Sequence, residues 1–323
     1  MNSDSLPRVL FVAGAVLLLA IWLIPTMARA QGLNVKGPGD YRRSLVYGGL
    51  KRTFLLHVPP QFNSDTLLPL VFVLHGGGGE GPKVARLTGF SRLADREGLV
   101  VVYPDGINNH WNDGRNVMRF RAQRENVDDV GFVAALIERC AKQAKVDTTR
   151  VYAAGISNGG MMCYRLACDL PDKLAAVAAV SAAMAEDLPD SCPPGKPISV
   201  LAINGTEDPL VPWQGGGVGL LAKRGRVLSV PQTIDFWVRR NHCDPVPTVT
   251  ALPDKDPNDG LTVRREYHGN GQDGAEVILY AVEGGGHTWP GGAERPAQFG
   301  RRSDDIAATQ TIWEFFKRHS RTE

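Results

Sequence analysis

Residues 150–162, Arg150-Val151-Tyr152-Ala153-Ala154-Gly155-Ile156-Ser157-Asn158-Gly159-Gly160-Met161-Met162, read as a short apolar strand, a serine between glycines and the start of a helix. Within them Gly155-Ile156-Ser157-Asn158-Gly159 fits G-x-S-x-G, the pattern of a nucleophilic serine carried on a sharp strand-to-helix turn. The flanking glycines have a mechanical reason, because a Cβ at either place would meet neighbouring backbone. Such a turn lifts the hydroxyl above a sheet and aims the backbone N–H groups that follow at the same point. The bare pattern is common by chance. The strand before it and the helix after it supply the context that the chemistry requires.

Upstream, Leu67-Leu68-Pro69-Leu70-Val71-Phe72-Val73-Leu74 is a nearly continuous apolar run that ends in His75-Gly76-Gly77-Gly78-Gly79. That is the mark of a strand buried on both faces of a parallel sheet. Residues 99–103 form a second such strand, which ends at Pro104-Asp105-Gly106, and helical spacing over residues 84–98 lies between the two. Residues 43–49 and 51–58 alternate around Gly48-Gly49 and read as a hairpin. A helix starts at Asp128, strands are expected at residues 175–181, 198–204, 262–267 and 276–283, and helices at 231–241 and 305–319, the last capped by Ser303. This alternation gives an α/β architecture with a mostly parallel sheet covered by helices on both faces. Without internal repeat or linker, residues 31–323 read as one domain. Residues 108–126, a long polar and aromatic loop, have the length of a functional loop. The glycine-rich residues 215–225 lack the lysine pattern of a phosphate cradle.

Hydrophobic content of 43% with 22% charged residues suits a globular protein with a large core, and the net charge of +2 points to neither nucleic acid nor an anionic membrane as partner. Residues 9–24 are an uncharged apolar run after Arg8 and before Ala28-Arg29-Ala30, an A-x-A cleavage pattern. Sixteen residues are short for a span of about 20. Residues 1–30 therefore read as a cleaved signal peptide, with an uncleaved anchor as the competing reading; on the first, the mature chain is secreted or periplasmic and has no stable membrane span. Export permits disulfides. Of Cys140, Cys163, Cys168, Cys192 and Cys243, the pair Cys168 and Cys192 flanks a predicted strand and is the candidate bridge, while Cys163 reads as a small core residue. No His/Cys spacing suggests a metal.

A serine hydroxyl needs a base. His287 sits in Gly284-Gly285-Gly286-His287-Thr288-Trp289-Pro290-Gly291 after the predicted strand 276–283, and in α/β-hydrolases the histidine comes last in chain order. The acid must lie between them. Asn204-Gly205-Thr206-Glu207-Asp208-Pro209 follows a buried strand, where ligands gather in open α/β sheets, and Asp208 is preferred over Glu207. An oxyanion hole needs two N–H groups, here assigned to Asn158 and Gly77, with Gly76 as second choice. His75 is expected to orient that turn rather than to move protons. Trp111, Trp213 and Trp289 lie in loops expected at the active-site end and are candidates for stacking on substrate, or simply for packing loops.

Taken together, Leu74-His75-Gly76-Gly77, Tyr103-Pro104-Asp105-Gly106, Trp111, Asp128-Asp129-Val130-Gly131-Phe132, Gly155-Ile156-Ser157-Asn158-Gly159-Gly160-Met161, Asn204-Gly205-Thr206-Glu207-Asp208 and Gly285-Gly286-His287-Thr288-Trp289-Pro290-Gly291 resemble the secreted polyhydroxybutyrate depolymerase and feruloyl esterase family, carbohydrate esterase family 1. The resemblance runs from about residue 43 to 316. It implies an α/β-hydrolase fold and a secreted carboxylic ester hydrolase without cofactor, with the family's catalytic serine, acid and histidine falling on Ser157, Asp208 and His287. Implied substrates are feruloyl, acetyl-carbohydrate or 3-hydroxybutyrate esters, small or oligomeric, including plant cell-wall carbohydrate or polyester. Many relatives carry a further cysteine where Tyr267-His268-Gly269 stands, which leaves Cys243 without an obvious partner. Two other readings keep the scaffold but change the function: a serine peptidase, and a binding module without catalysis.

Overall fold

In the computed structural model, residues 32–62 and 67–322 are described; the expected signal peptide lies outside them. The centre of the molecule is the strand Leu68–Leu74, buried along its whole length. Side chains alternate across a strand, so Phe72 and Leu74 join one core with Phe132, Leu136, Met161 and Trp237. Val71 and Val73 join the other with Phe90, Trp289, Trp313 and Phe316. One apolar run therefore roots both helical layers, as continuous apolar strands of a covered sheet must.

The strands of the main sheet are Gly39–Tyr47 (β1), Leu50–Val58 (β2), Leu68–Leu74 (β3), Val100–Pro104 (β4), Val146–Ile156 (β5), Ala176–Val180 (β6), Ser199–Gly205 (β7), Thr248–Ala251 (β8), Thr262–His268 (β9) and Val277–Glu283 (β10). They form one sheet in the order β1-β2-β4-β3-β5-β6-β7-β10-β9-β8. From β4 through β10 neighbours run parallel, while β1, β2, β9 and β8 add antiparallel margins. Gly81–Thr88 (α1), Phe90–Glu97 (α2) and Ala308–Phe316 (α6) cover one face, and Asp129–Gln143 (α3), Asn158–Asp169 (α4) and Val230–Arg240 (α5) cover the other. This is the α/β-hydrolase fold.

Three local expectations change. The helix read over residues 84–98 is two helices, because Gly89 takes φ 69° and ends α1 in a left-handed cap. Ser303 does not cap the last helix: its hydroxyl accepts from Asp305 N–H at 3.1 Å, and the helix begins at Ala308. Strand β8, exposed at every position, has no burial alternation to betray it in the sequence. Cys168 at the end of α4 is joined to Cys192, whereas Cys140, Cys163 and Cys243 are buried free thiols. Among the described residues no helix is long and apolar enough to cross a membrane.

Candidate active site

Strand β5 ends at Ile156, and Ser157 adopts φ 57° and ψ −124°, a conformation that a residue with a side chain holds only when its surroundings impose it. The imposing contacts are backbone. A Cβ on Gly159 would lie 2.3 Å from Leu74 O, and one on Gly155 would lie 2.5 Å from Gly159 O. Glycine at these two places lets the first turn of α4 press onto the end of β3, which brings Ser157 beside the turn at residues 75–79. Asn158 locks the far side. Its Oδ1 accepts from Trp111 N–H at 2.9 Å, and its Nδ2 donates to Asp113 Oδ2 at 2.5 Å. Asp113 is in turn paired with Arg115 at 2.7 Å, so the long loop over residues 108–126 is riveted to the serine turn through a buried carboxylate.

The acid and the histidine are brought together by two interlocked turns. Thr206 N–H donates to Val282 O at 3.0 Å, Glu207 N–H to Gly285 O at 2.9 Å and Gly284 N–H to Thr206 Oγ1 at 2.9 Å. The loop after β7 is thereby stitched to the loop after β10. Asp208 Oδ2 then lies 2.7 Å from His287 Nδ1, and Asp208 Oδ1 accepts from the N–H groups of Leu210 and Val211, both at 2.8 Å. Both side chains of the pair are buried. Glu207, the rejected neighbour, points outward and pairs with Arg301 at 3.4 Å.

The turn after β3 is held by His75. Its Nε2 accepts from Gly106 N–H at 3.0 Å, which leaves the proton on Nδ1, where it donates to Gly76 O at 2.8 Å. Burial, the largest influence, holds this imidazole below its ordinary pKa and so neutral. Gly79 N–H donates to the same Gly76 O at 2.9 Å. The peptide joining Gly76 to Gly77 is planar, so fixing its carbonyl turns the Gly77 N–H the opposite way. Among the described residues no loop or cap hydrogen bond engages that N–H. The N–H of Asn158 heads α4, where the first helical N–H groups have no partner within the helix.

Ser157, Asn158, Gly77 and His287 border one cavity of about 790 Å³, with Phe120, Leu210, Val218 and Phe299 among its apolar wall residues. Of the three tryptophans read as candidates for stacking on substrate or for packing loops, two pack loops. Trp111 is 0% exposed, with its Nε1 donating to His75 O at 2.9 Å, and Trp289 is 0% exposed, donating to Thr309 Oγ1 at 2.9 Å and packing edge-on against Phe90. Each indole N–H needs a partner once buried, and each finds it beneath the site rather than in it. Trp213 is half-buried and borders a separate hollow beside Asp208. The aromatic walls are instead Phe120, stacked on His110 at 3.9 Å, and Phe299, alongside His287 at 6.2 Å. His110 went unassigned in the sequence. Its Nδ1 faces Asn108 O at 3.0 Å, and its Nε2 lies 3.2 Å from where a Cβ on Gly77 would stand. Burial first, then the positive charges of Arg115 and Arg224, lower its pKa and keep it neutral. The only signal that could have found these residues was the length of the loop that carries His110 and Phe120.

The family described as Esterase PHB depolymerase matches residues 52–189. The NocK protein of Nocardia uniformis subsp. tsuyamanensis, which bears an esterase name, is 33% identical over 84% of this chain and 81% of its own. Feruloyl esterase D of Neurospora crassa is 29% identical over 94% of this chain and 96% of its own. Among solved structures, the acetyl xylan esterase from Aspergillus awamori superposes with a TM-score of 0.52 at 16% identity, over 76% of this chain and 94% of that one, a likeness of fold.

Proposed function

Because the chain belongs to the PHB depolymerase esterase family and is a carboxylic ester hydrolase, we propose that it works through Ser157, His287 and Asp208 by two-step acyl transfer. The observation that carries this reading is the 2.7 Å contact of Asp208 with His287 Nδ1, made by a carboxylate whose other oxygen is fixed by two backbone N–H groups, at the edge of the cavity that Ser157 also borders. With its Nδ1–H held by Asp208, the imidazole presents Nε2 as base. Ser157 Oγ attacks the ester carbonyl carbon while His287 takes its proton, and the oxyanion rests on the N–H groups of Asn158 and Gly77. His287 then protonates the departing alcohol. Water repeats the sequence on the acyl-enzyme and releases the acid, so no cofactor enters the balance.

The names of the relatives and the apolar, aromatic walls support feruloyl, acetyl-carbohydrate or 3-hydroxybutyrate esters as substrates, and the apolar run with its A-x-A pattern supports export to the periplasm or medium. A fluorophosphonate probe tests the nucleophile: the adduct is expected on Ser157, and Ser157→Ala or His287→Ala should lower kcat on 4-nitrophenyl acetate by about 10⁴-fold or more with unchanged circular dichroism. Full turnover in either variant refutes the assignment.

A further inference from the structure

Over the whole chain acids nearly balance bases, 34 against 36. The cavity at Ser157 does not share that balance. Lys83, Arg115, Arg119, Lys223, Arg224 and Arg295 border it, and no aspartate or glutamate does. Two of the six are answered elsewhere, Arg115 by Asp113 at 2.7 Å and Lys83 by Glu80 at 3.6 Å. For Arg119, Lys223, Arg224 and Arg295 no carboxylate stands within ion-pair distance among the described residues.

Arg295 is the most telling. Its guanidinium is half-buried, lies 3.8 Å over the Phe299 ring and donates to His287 O at 3.1 Å, so it is held in the wall beside the histidine rather than free in solvent. The Asp208 carboxylate acts on it only from beyond ion-pair distance and is already engaged by His287 Nδ1 and two backbone N–H groups; burying a charge so weakly answered is costly, and a ligand that brings the opposite charge offsets the cost. The rim beside it is apolar: Leu220 is 73% exposed and Leu221 75% exposed, separated from Lys223 and Arg224 by Ala222 alone. Apolar surface next to unpaired cations, around a cavity of about 790 Å³, fits a molecule with an apolar body and a negative end.

We propose that the natural substrate is an anionic ester, with an apolar acyl or alcohol part that carries a carboxylate or comparable group held by Arg119, Lys223, Arg224 and Arg295. This rests on the esterase reading of the same cavity and narrows it to a class of substrate. The acidic group is bound, not transformed, and the acyl transfer keeps the balance given above.

Two pairs of esters, each an acid beside its methyl ester, test it, with spontaneous hydrolysis subtracted and turnover referred to the rate of each ester with hydroxide. On the acyl side, mono-4-nitrophenyl glutarate is compared with its methyl ester; on the alcohol side, 4-acetoxybenzoate with methyl 4-acetoxybenzoate. At low ionic strength the anionic member of at least one pair should have kcat/KM about 10-fold higher, mainly through KM, and the advantage should shrink as salt screens it. Arg224→Gln and Arg119→Gln, both on exposed side chains, should each lower the anionic-to-neutral ratio about 3-fold or more. Equal or faster turnover of the neutral member in both pairs, or a ratio that neither substitution moves, overturns the proposal. Binding of 4-phenylbutyrate against 4-phenylbutanamide to Ser157→Ala protein reads the preference without turnover. Loss of all ester hydrolysis in the unaltered protein beside a retained preference for the acid would sink the esterase reading alone; equal binding would sink this one.

Discussion

Two glycine-rich turns deliver residues to the cavity at Ser157, and their hydrogen bonding is opposite in kind. In the turn after β10 every glycine N–H is engaged: Gly284 on Thr206 Oγ1, Gly285 on Val282 O and Gly286 on Arg301 O. In the turn after β3, Gly78 and Gly79 are engaged, on Asn109 O and Gly76 O, while among the described residues the Gly77 N–H meets no loop acceptor, turned away as it is by the grip of His75 on the Gly76 carbonyl. The first turn is a bracket whose backbone exists to place His287. The second keeps back a donor. Both read simply as glycine runs in the sequence, and the difference between them is made by where the partner carbonyls lie.

That contrast can be broken. The largest effect is expected from Gly286→Ala, whose Cβ would stand 2.3 Å from Phe299 O and 2.5 Å from Gly300 Cα, backbone that has to shift. Stability measured by urea unfolding should fall by about 1–3 kcal/mol, and kcat by about 10²-fold as His287 is displaced. A silent substitution would show that the turn is no bracket. Gly77→Ala should separate the two properties. Its Cβ crowds the His110 ring, at 3.2 Å, and touches Asn158 Cβ at an ordinary 3.8 Å. Stability is expected to stay within about 0.5 kcal/mol, while kcat/KM on 4-nitrophenyl acetate falls about tenfold because the crowding is at the reacting end of the cavity. If stability falls as far as in Gly286→Ala, the distinction between bracket and donor is lost.

The smallest effect is a pH dependence. Burial lowers the pKa of His75 in the folded protein below its ordinary 6.5. The unfolded chain therefore binds more protons in the window below 6.5, and the stability that His75 contributes is full above that pH and lost as pH falls through the lowered folded value. Melting curves from pH 7.5 down to about 5 should show the loss, and His75→Asn should flatten it. An unaltered slope in the variant would mean that this imidazole is not held neutral in the turn.

Much of the architecture was legible because it rests on local pattern. The apolar run at β3, the glycine-flanked Ser157 and the order serine, acid, histidine are all properties of the chain read linearly, and they lead to the fold and to the pairing of Asp208 with His287 seen here. Where the reading went astray, side-chain identity was right and direction was missing. Trp111 and Trp289 occupy loops near the site, yet their indoles turn inward to His75 O and Thr309 Oγ1. Phe120, Phe299 and Arg295 form the walls without any spacing to announce them. A glycine split one expected helix at Gly89, since a left-handed residue ends a helix whatever the periodicity on either side.

The sequence alone determined which strands are buried on both faces, which serine stands between glycines at a strand's end and in what order an acid and a histidine follow it, because these depend on composition and spacing along the chain. Only the tertiary structure decided which N–H groups stay unengaged, which aromatic side chains wall the cavity and which cations meet no carboxylate there. Those are questions of partners brought together across long stretches of chain, 109 residues in the case of Arg115 and the carbonyl of Arg224, and a linear pattern holds no record of them.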